Sequence, residues 1–150
     1  WSSDVCSSDL KVSIGKLLLS PTRTYAPLVK LILSSHFDAV KGMIHCSGGG
    51  QTKCMKYLPG PMRIVKDNLF EVPPIFKLIQ ENSGSDTKEM YQVFNMGHRL
   101  EIFTEPQYAS DLIRLAKTFN IEAQIIGKVE AATQKELILK GSFGIATYSH

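Results

Sequence analysis

The sequence predicts an α+β domain, a mixed β-sheet with helices packed on one face. Three observations carry this. Strand-sized apolar runs alternate with segments whose apolar residues recur at helical spacing. Several strands follow one another as hairpin-like neighbours, which favours a mixed sheet over a doubly wound parallel one. At 150 residues, with 43% apolar and 21% charged side chains, the chain suffices for one domain with its own core.

The elements follow in order. Residues 14–19 are a short apolar run ending at Ser20-Pro21 and read as a buried strand. Residues 25–36 read as a helix, with Leu28, Val29, Ile32 and Leu33 at helical spacing and Pro27 in the first turn. Residues 40–46 return to strand character, a glycine triplet breaks it, and residues 51–58 read as a short helix. Residues 62–65 are a strand. Pro73-Pro74 opens a helix through Gln80. Asp86 and Glu89 have capping-box spacing for a helix over 87–94, and Asn95-Met96-Gly97 is a sharp exit turn. Residues 99–104 alternate as a strand. Residues 106–119 form the clearest amphipathic helix, with Ala109, Leu112, Ile113, Ala116 and Phe119 on one face. Strands over 123–129 and 136–139 complete the reading.

Bulk properties exclude several classes. The net charge of +3 is weak and the lysines are scattered, so no nucleic-acid partner is expected. No apolar run approaches the ~20 residues that span a bilayer, so no membrane partner is expected. Three cysteines, Cys6, Cys46 and Cys54, cannot all pair with one another and read as cytosolic thiols. A cytoplasmic location follows as the expectation. Residues 1–10 hold four serines and no core period, and they read as a foreign or disordered tail rather than a signal peptide. The domain is expected over 11–150.

The sharpest local feature is Ser47-Gly48-Gly49-Gly50, between a strand and a helix. Consecutive glycines let backbone amides point inward at the positive end of a helix, which favours a phosphate or carboxylate. The spacing matches neither G-x-x-x-x-G-K-S/T nor G-x-G-x-x-G, so a plain structural turn stands beside the anion site as an equal reading. His45 precedes the turn, either as a ligand contact or acid-base group near neutrality or as a packed strand-end histidine. Arg23 suits an anion through its planar fork, or is a surface turn residue. No C-x-x-C or H-x-x-x-H spacing joins His45, Cys46 and Cys54, so no metal site is expected. Glu101 and Glu105 have no partner acid at a diagnostic spacing.

Four ordered segments together resemble one family. Leu18-Leu19-Ser20-Pro21-Thr22-Arg23-Thr24-Tyr25 is similar to its LLxPTRxY segment, and His45-Cys46-Ser47-Gly48-Gly49-Gly50 to its H-x-T/S-G-G-G. Pro74-Ile75-Phe76 with Ile79-Gln80, and Glu89-Met90-Tyr91 with Phe94-Asn95-Met96-Gly97, complete the set. The family is phosphoribosylformylglycinamidine cyclo-ligase, or aminoimidazole ribonucleotide synthetase, and the resemblance covers its C-terminal half.

That resemblance implies the fold of this superfamily's C-terminal domain. It implies ATP-dependent closure of formylglycinamidine ribonucleotide to aminoimidazole ribonucleotide in purine biosynthesis, a carbon-nitrogen ring-forming ligase reaction. ATP and magnesium would bind mainly to an N-terminal half of the same protein, which would also make the homodimer contact, and this chain alone would be inactive. Ser47, Gly48, Gly49 and Gly50 would hold a substrate or nucleotide phosphate, with Thr22 and Arg23 lining the cleft. Asn95 and Gly97 would form a second wall, and His45 would orient substrate or serve as acid or base. His98-Arg99 departs from the small or aliphatic residues expected there, leaving His98 as an extra ligand contact or an exposed side chain. The alternatives are a non-catalytic module binding a phosphate-bearing ligand, or the equivalent half of a related ATP-dependent synthase or kinase.

Overall fold

A computed structural model describes residues 14–19 and 23–149. Two antiparallel strands, β1 (Val40–His45) and β3 (Leu100–Thr104), form a ribbon, and four more form a mixed sheet of order β4-β2-β5-β6. In that sheet β2 (Met62–Lys66) runs parallel to β5 (Glu136–Gly141). It runs antiparallel to β4 (Gly127–Ala131), and β6 (Gly144–Ser149) runs antiparallel to β5. The mixed α+β expectation holds.

Strand alternation sends Ile64, Leu137, Leu139, Ala146 and Tyr148 to one face of this sheet, where they form the larger core. The helices α3 (Pro74–Ser83) and α4 (Thr87–Val93) cover that face, with a 3-10 helix over Gly50–Tyr57. The Asp86 carboxylate accepts the Glu89 N–H at 2.7 Å, capping α4 as its spacing predicts. A smaller core lies between α2 (Ala26–His36) and α5 (Pro106–Thr118), where Leu28 and Ile32 meet Leu112 and Ala116. The ribbon separates the two cores. Met43 and its cross-strand partner Ile102 face the helix pair, whereas the next pair, Ile44 and Glu101, faces the larger core.

Three expectations change. Residues 14–19 are not a strand, because α1 spans Ile14–Leu18. A short apolar run has no decisive period, and no strand pairs with it among the described residues. The strand expected over 123–129 begins only at Gly127, where pairing with β2 starts. Strand β6 was not expected: its Gly144, Ile145, Thr147 and Ser149 are exposed, so only Ala146 and Tyr148 carry an apolar signal inward. The reading of residues 1–10 lies outside the described residues.

Candidate functional site

The glycine turn grows directly from the ribbon. The Cys46 N–H donates to the Arg99 carbonyl at 2.8 Å, one step beyond the end of β1. The chain then folds back, with Ser47 N donating to His45 O at 2.9 Å and Gly50 N to Ser47 O at 3.1 Å. Gly49 has φ +93° and Gly50 φ +48°, a conformation that costs side chains with a Cβ ~1–2 kcal/mol. Gly50 also packs closely against the C-terminal end of α4. A Cβ there would sit 2.4 Å from the Phe94 carbonyl oxygen and 2.7 Å from that of Tyr91. Gly48 has open space around it.

The triplet therefore divides its labour. Gly50 spends its amide inside the turn, whereas no acceptor takes the amide protons of Gly48 or Gly49 among the described residues. Lys53 supplies a positive charge beside them. Its Nζ donates to the Ser47 hydroxyl at 2.7 Å and to the His45 carbonyl at 2.9 Å. Two open amides and one ammonium on an exposed lip suit an anion. The 3-10 helix that follows is long for its type, and the Gly49 carbonyl accepts from Thr52 N, Lys53 N and Thr52 Oγ1 to start it.

His45 is exposed, with its ring edge-on to Tyr25 at 6.3 Å between centroids. Arg23 points elsewhere: its Nη1 donates to the Asn120 carbonyl at 2.5 Å, just past the end of α5. There it complements the carbonyl end of that helix. Thr22 lies outside the described residues.

Asn95 braces the site from within. Its Nδ2 donates to the Cys46 carbonyl at 3.3 Å and its Oδ1 accepts the Gly97 N–H at 2.9 Å. The Asn95 carbonyl accepts the His98 N–H at 2.9 Å, closing a turn whose central residues are both left-handed, Met96 at φ +51° and Gly97 at φ +99°. A Cβ on Gly97 would come within 3.0 Å of the Pro73 ring. His98 is not exposed. It is 2% accessible, and its Nε2 accepts the Phe70 N–H at 3.1 Å. Burial holds this imidazole below its usual pKa, and Lys66 adds to the effect against the opposing pull of Glu101 and the Asn95 and Met96 carbonyls.

Four residues outside the expected set organise this region: Lys53, Gln51, Lys66 and Glu101. Lys66 shares the core face of β2 with Ile64, so its side chain enters the interior. There it meets Glu101, 2.5 Å from Nζ to Oε1. The buried thiols Cys46 and Cys54 surround this pair. Burial pushes Cys46 up to about 12, with the Glu101 carboxylate adding to the shift. Burial pushes Cys54 up to about 11, against the opposing effect of Lys66. Sequence offered a signal for Lys53, three residues past the triplet, and none for Lys66 or Glu101.

Two surface grooves lie away from the turn. One, of about 520 Å³, is lined by residues including Asp67, Phe70, Lys77, Tyr91 and Lys140. The other, of about 360 Å³, lies between the start of α4 and β6. Neither includes a residue of the glycine turn, which stands on an open lip.

A mixed-sheet α+β domain that carries a glycine turn suited to an anion on an open lip is the class of protein that the fold and the site define. The chain belongs to the family described as AIR synthase related protein, C-terminal domain, whose model matches residues 2–140. It is 36% identical over 124 residues to a phosphoribosylformylglycinamidine cyclo-ligase of Pseudothermotoga lettingae, covering 81% of this chain and 36% of that protein. It is 37% identical over 133 residues to the protein of the same name from Methanocaldococcus jannaschii, covering 84% and 37%. The chain thus spans little more than a third of these relatives. The fold is similar to that of E. coli HypE, a hydrogenase maturation protein (TM-score 0.60, 20% identity, 85% of this chain and 39% of that one). It is also similar to T. maritima PurL complexed with ATP (TM-score 0.53, 13% identity, 81% and 20%).

Proposed function

We propose that this chain is the C-terminal part of an ATP-dependent cyclo-ligase that closes formylglycinamidine ribonucleotide to aminoimidazole ribonucleotide. The names of its relatives support the reaction class. The observation that carries the residue-level reading is the lip of the glycine turn, where the Gly48 and Gly49 amides stand open beside the Lys53 ammonium. These groups would hold a phosphate of the substrate or of the nucleotide, with Ser47 and Gly50 fixing the turn.

His45, exposed beside the same lip, would orient the substrate or exchange a proton with it. Asn95 and Gly97 would keep the second wall in place, and Thr22 would line the cleft as the family resemblance implies. Arg23, tied to Asn120, would serve at the margin. Holding the substrate bent gives its nucleophilic nitrogen a short path to the amide carbon, which lowers the entropic part of the barrier.

Among the described residues no group of three or more His, Cys, Asp or Glu side chains converges as metal ligands. As the family resemblance implies, ATP and magnesium would bind mainly to an N-terminal half of the full-length protein. When bound, they would activate the amide oxygen by phosphorylation. That half would also make the homodimer contact. No described helix is long and apolar enough to cross a membrane, and the proposed work is cytoplasmic.

The test has two arms. Inorganic phosphate titrated into the 15N-labelled chain is expected to shift the Gly48 and Gly49 amides first, and unmoved resonances there would remove the anion site. The purified 150-residue chain is expected to show no ATP-dependent turnover of formylglycinamidine ribonucleotide. Robust turnover would overturn the half-site reading.

A further inference from the structure

Gln51 is fully buried and joins the two motif turns. Its Nε2 donates to the Asn95 carbonyl at 2.6 Å, while its Oε1 accepts from Lys66 Nζ at 2.9 Å. The backbone carbonyl of Gln51 accepts from the same Nζ at 3.2 Å. The third bond of this ammonium goes to Glu101 Oε1. All three Lys66 donors are thereby satisfied, two of them on the residue that immediately follows the glycine triplet. The acceptors come from β3 and from the start of the 3-10 helix, and the donor comes from β2.

Stability alone is a weak reason for such a pair. Desolvating two charges offsets most of their attraction, and well-packed apolar residues in their place are often neutral or stabilising. An apolar pair, however, offers nothing to the two oxygens of Gln51. Freed of Lys66, the Gln51 amide loses the contact that fixes which end faces Asn95, and the glycine turn loses its registration on the Asn95 turn.

We propose that Lys66, held in place by Glu101, is a positioning residue that locks Gln51 and thereby sets the Gly48 and Gly49 amides for an anion. The ligand half of this inference rests on the phosphate reading above; the positioning half is read without ligand.

The experiment compares the 150-residue chain with Lys66→Met/Glu101→Leu and with Gln51→Met, which keeps the ion pair but removes the side-chain links. The double variant is expected to match or exceed the parent in melting temperature. Amide exchange at Gly50 and His98 is expected to accelerate by about tenfold or more in both variants, while the β5 amides of Leu137 and Leu139 keep their protection. Affinity for inorganic phosphate is expected to fall by about tenfold. Unchanged exchange at Gly50 and His98 in a folded variant overturns the proposal, as does acceleration spread equally over β5. If the double variant does not fold, Gln51→Met decides by the same criterion. A parent chain that ignores phosphate while the variants show local acceleration removes the anion reading and leaves the positioning role standing.

Discussion

Lys66 and Glu101 meet inside the molecule with their side chains 1% and 4% exposed, one from the four-stranded sheet and one from the ribbon. Each charge has the other as its counter-ion, so the pair joins two sheets that share no strand.

Removing one partner leaves the other charge buried alone. Glu101→Ala is expected to cost about 3–5 kcal/mol, a large part of the ~5–15 kcal/mol that holds a domain together. Urea unfolding of parent and variant measures it. A loss under about 1 kcal/mol would mean that water reaches the Lys66 ammonium.

The glycines of the triplet are expected to differ in tolerance. Gly50→Ala places a Cβ 2.4 Å from a backbone oxygen at φ +48°, so a loss above about 2 kcal/mol is expected. Gly48→Ala meets nothing within 4 Å and is expected to stay within about 0.5 kcal/mol. Equal midpoints in chemical denaturation for the two variants would contradict the packing of Gly50 on α4.

The two buried thiols are expected to resist alkylation. With Cys46 at about 12 and Cys54 at about 11, the thiolate fraction at pH 8 is on the order of one part in a thousand or less. Peptide mapping after iodoacetamide is expected to find both modified only once urea opens the core. Both values lie above the ordinary 9.0, so the folded state keeps protons that the unfolded state releases. Stability from this source is full below pH 9 and falls as pH rises toward 11 and 12, by ~1.4 kcal/mol per unit for each thiol.

His98 has the opposite sign. Its pKa is lowered below 6.5, so the unfolded state takes up a proton that the folded state refuses. Its stabilising contribution is present above about pH 6.5 and is lost as pH falls below it. Protonation also removes the Nε2 lone pair that accepts the Phe70 N–H. Melting temperatures at pH 7 and pH 5 are expected to fall further apart in the parent than in His98→Gln. Identical differences would assign the acid sensitivity to another group.

Much of the chain was legible locally. Helices α2 and α5 announce themselves by apolar spacing and an early proline, and α4 by the Asp86 cap, because these signals act within one or two turns. The Asn95-Met96-Gly97 turn and the glycine triplet were equally plain, since left-handed backbone narrows the choice of residue. The run at residues 14–19 differs from its expected strand because so short a segment, with Ile14, Leu17, Leu18 and Leu19 apolar, fits a strand or a helix equally well until neighbours choose. The lip of the turn was only half legible: the triplet marks the position, but which of its amides stay open depends on where Ser47 and α4 come to rest.

Sequence by itself determined most of the element types, the mixed α+β class and the position of the turn, because local backbone preference and apolar period are properties of neighbouring residues. Tertiary structure alone decided that Glu101 is buried, that Lys66 turns inward, that His98 is a buried acceptor and that Gln51 joins two turns. Lys66 lies 15 residues from Gln51 and 35 from Glu101, and Gln51 lies 44 from Asn95. A buried charge is tolerated only where its partner arrives, and that meeting exists only after two sheets have packed.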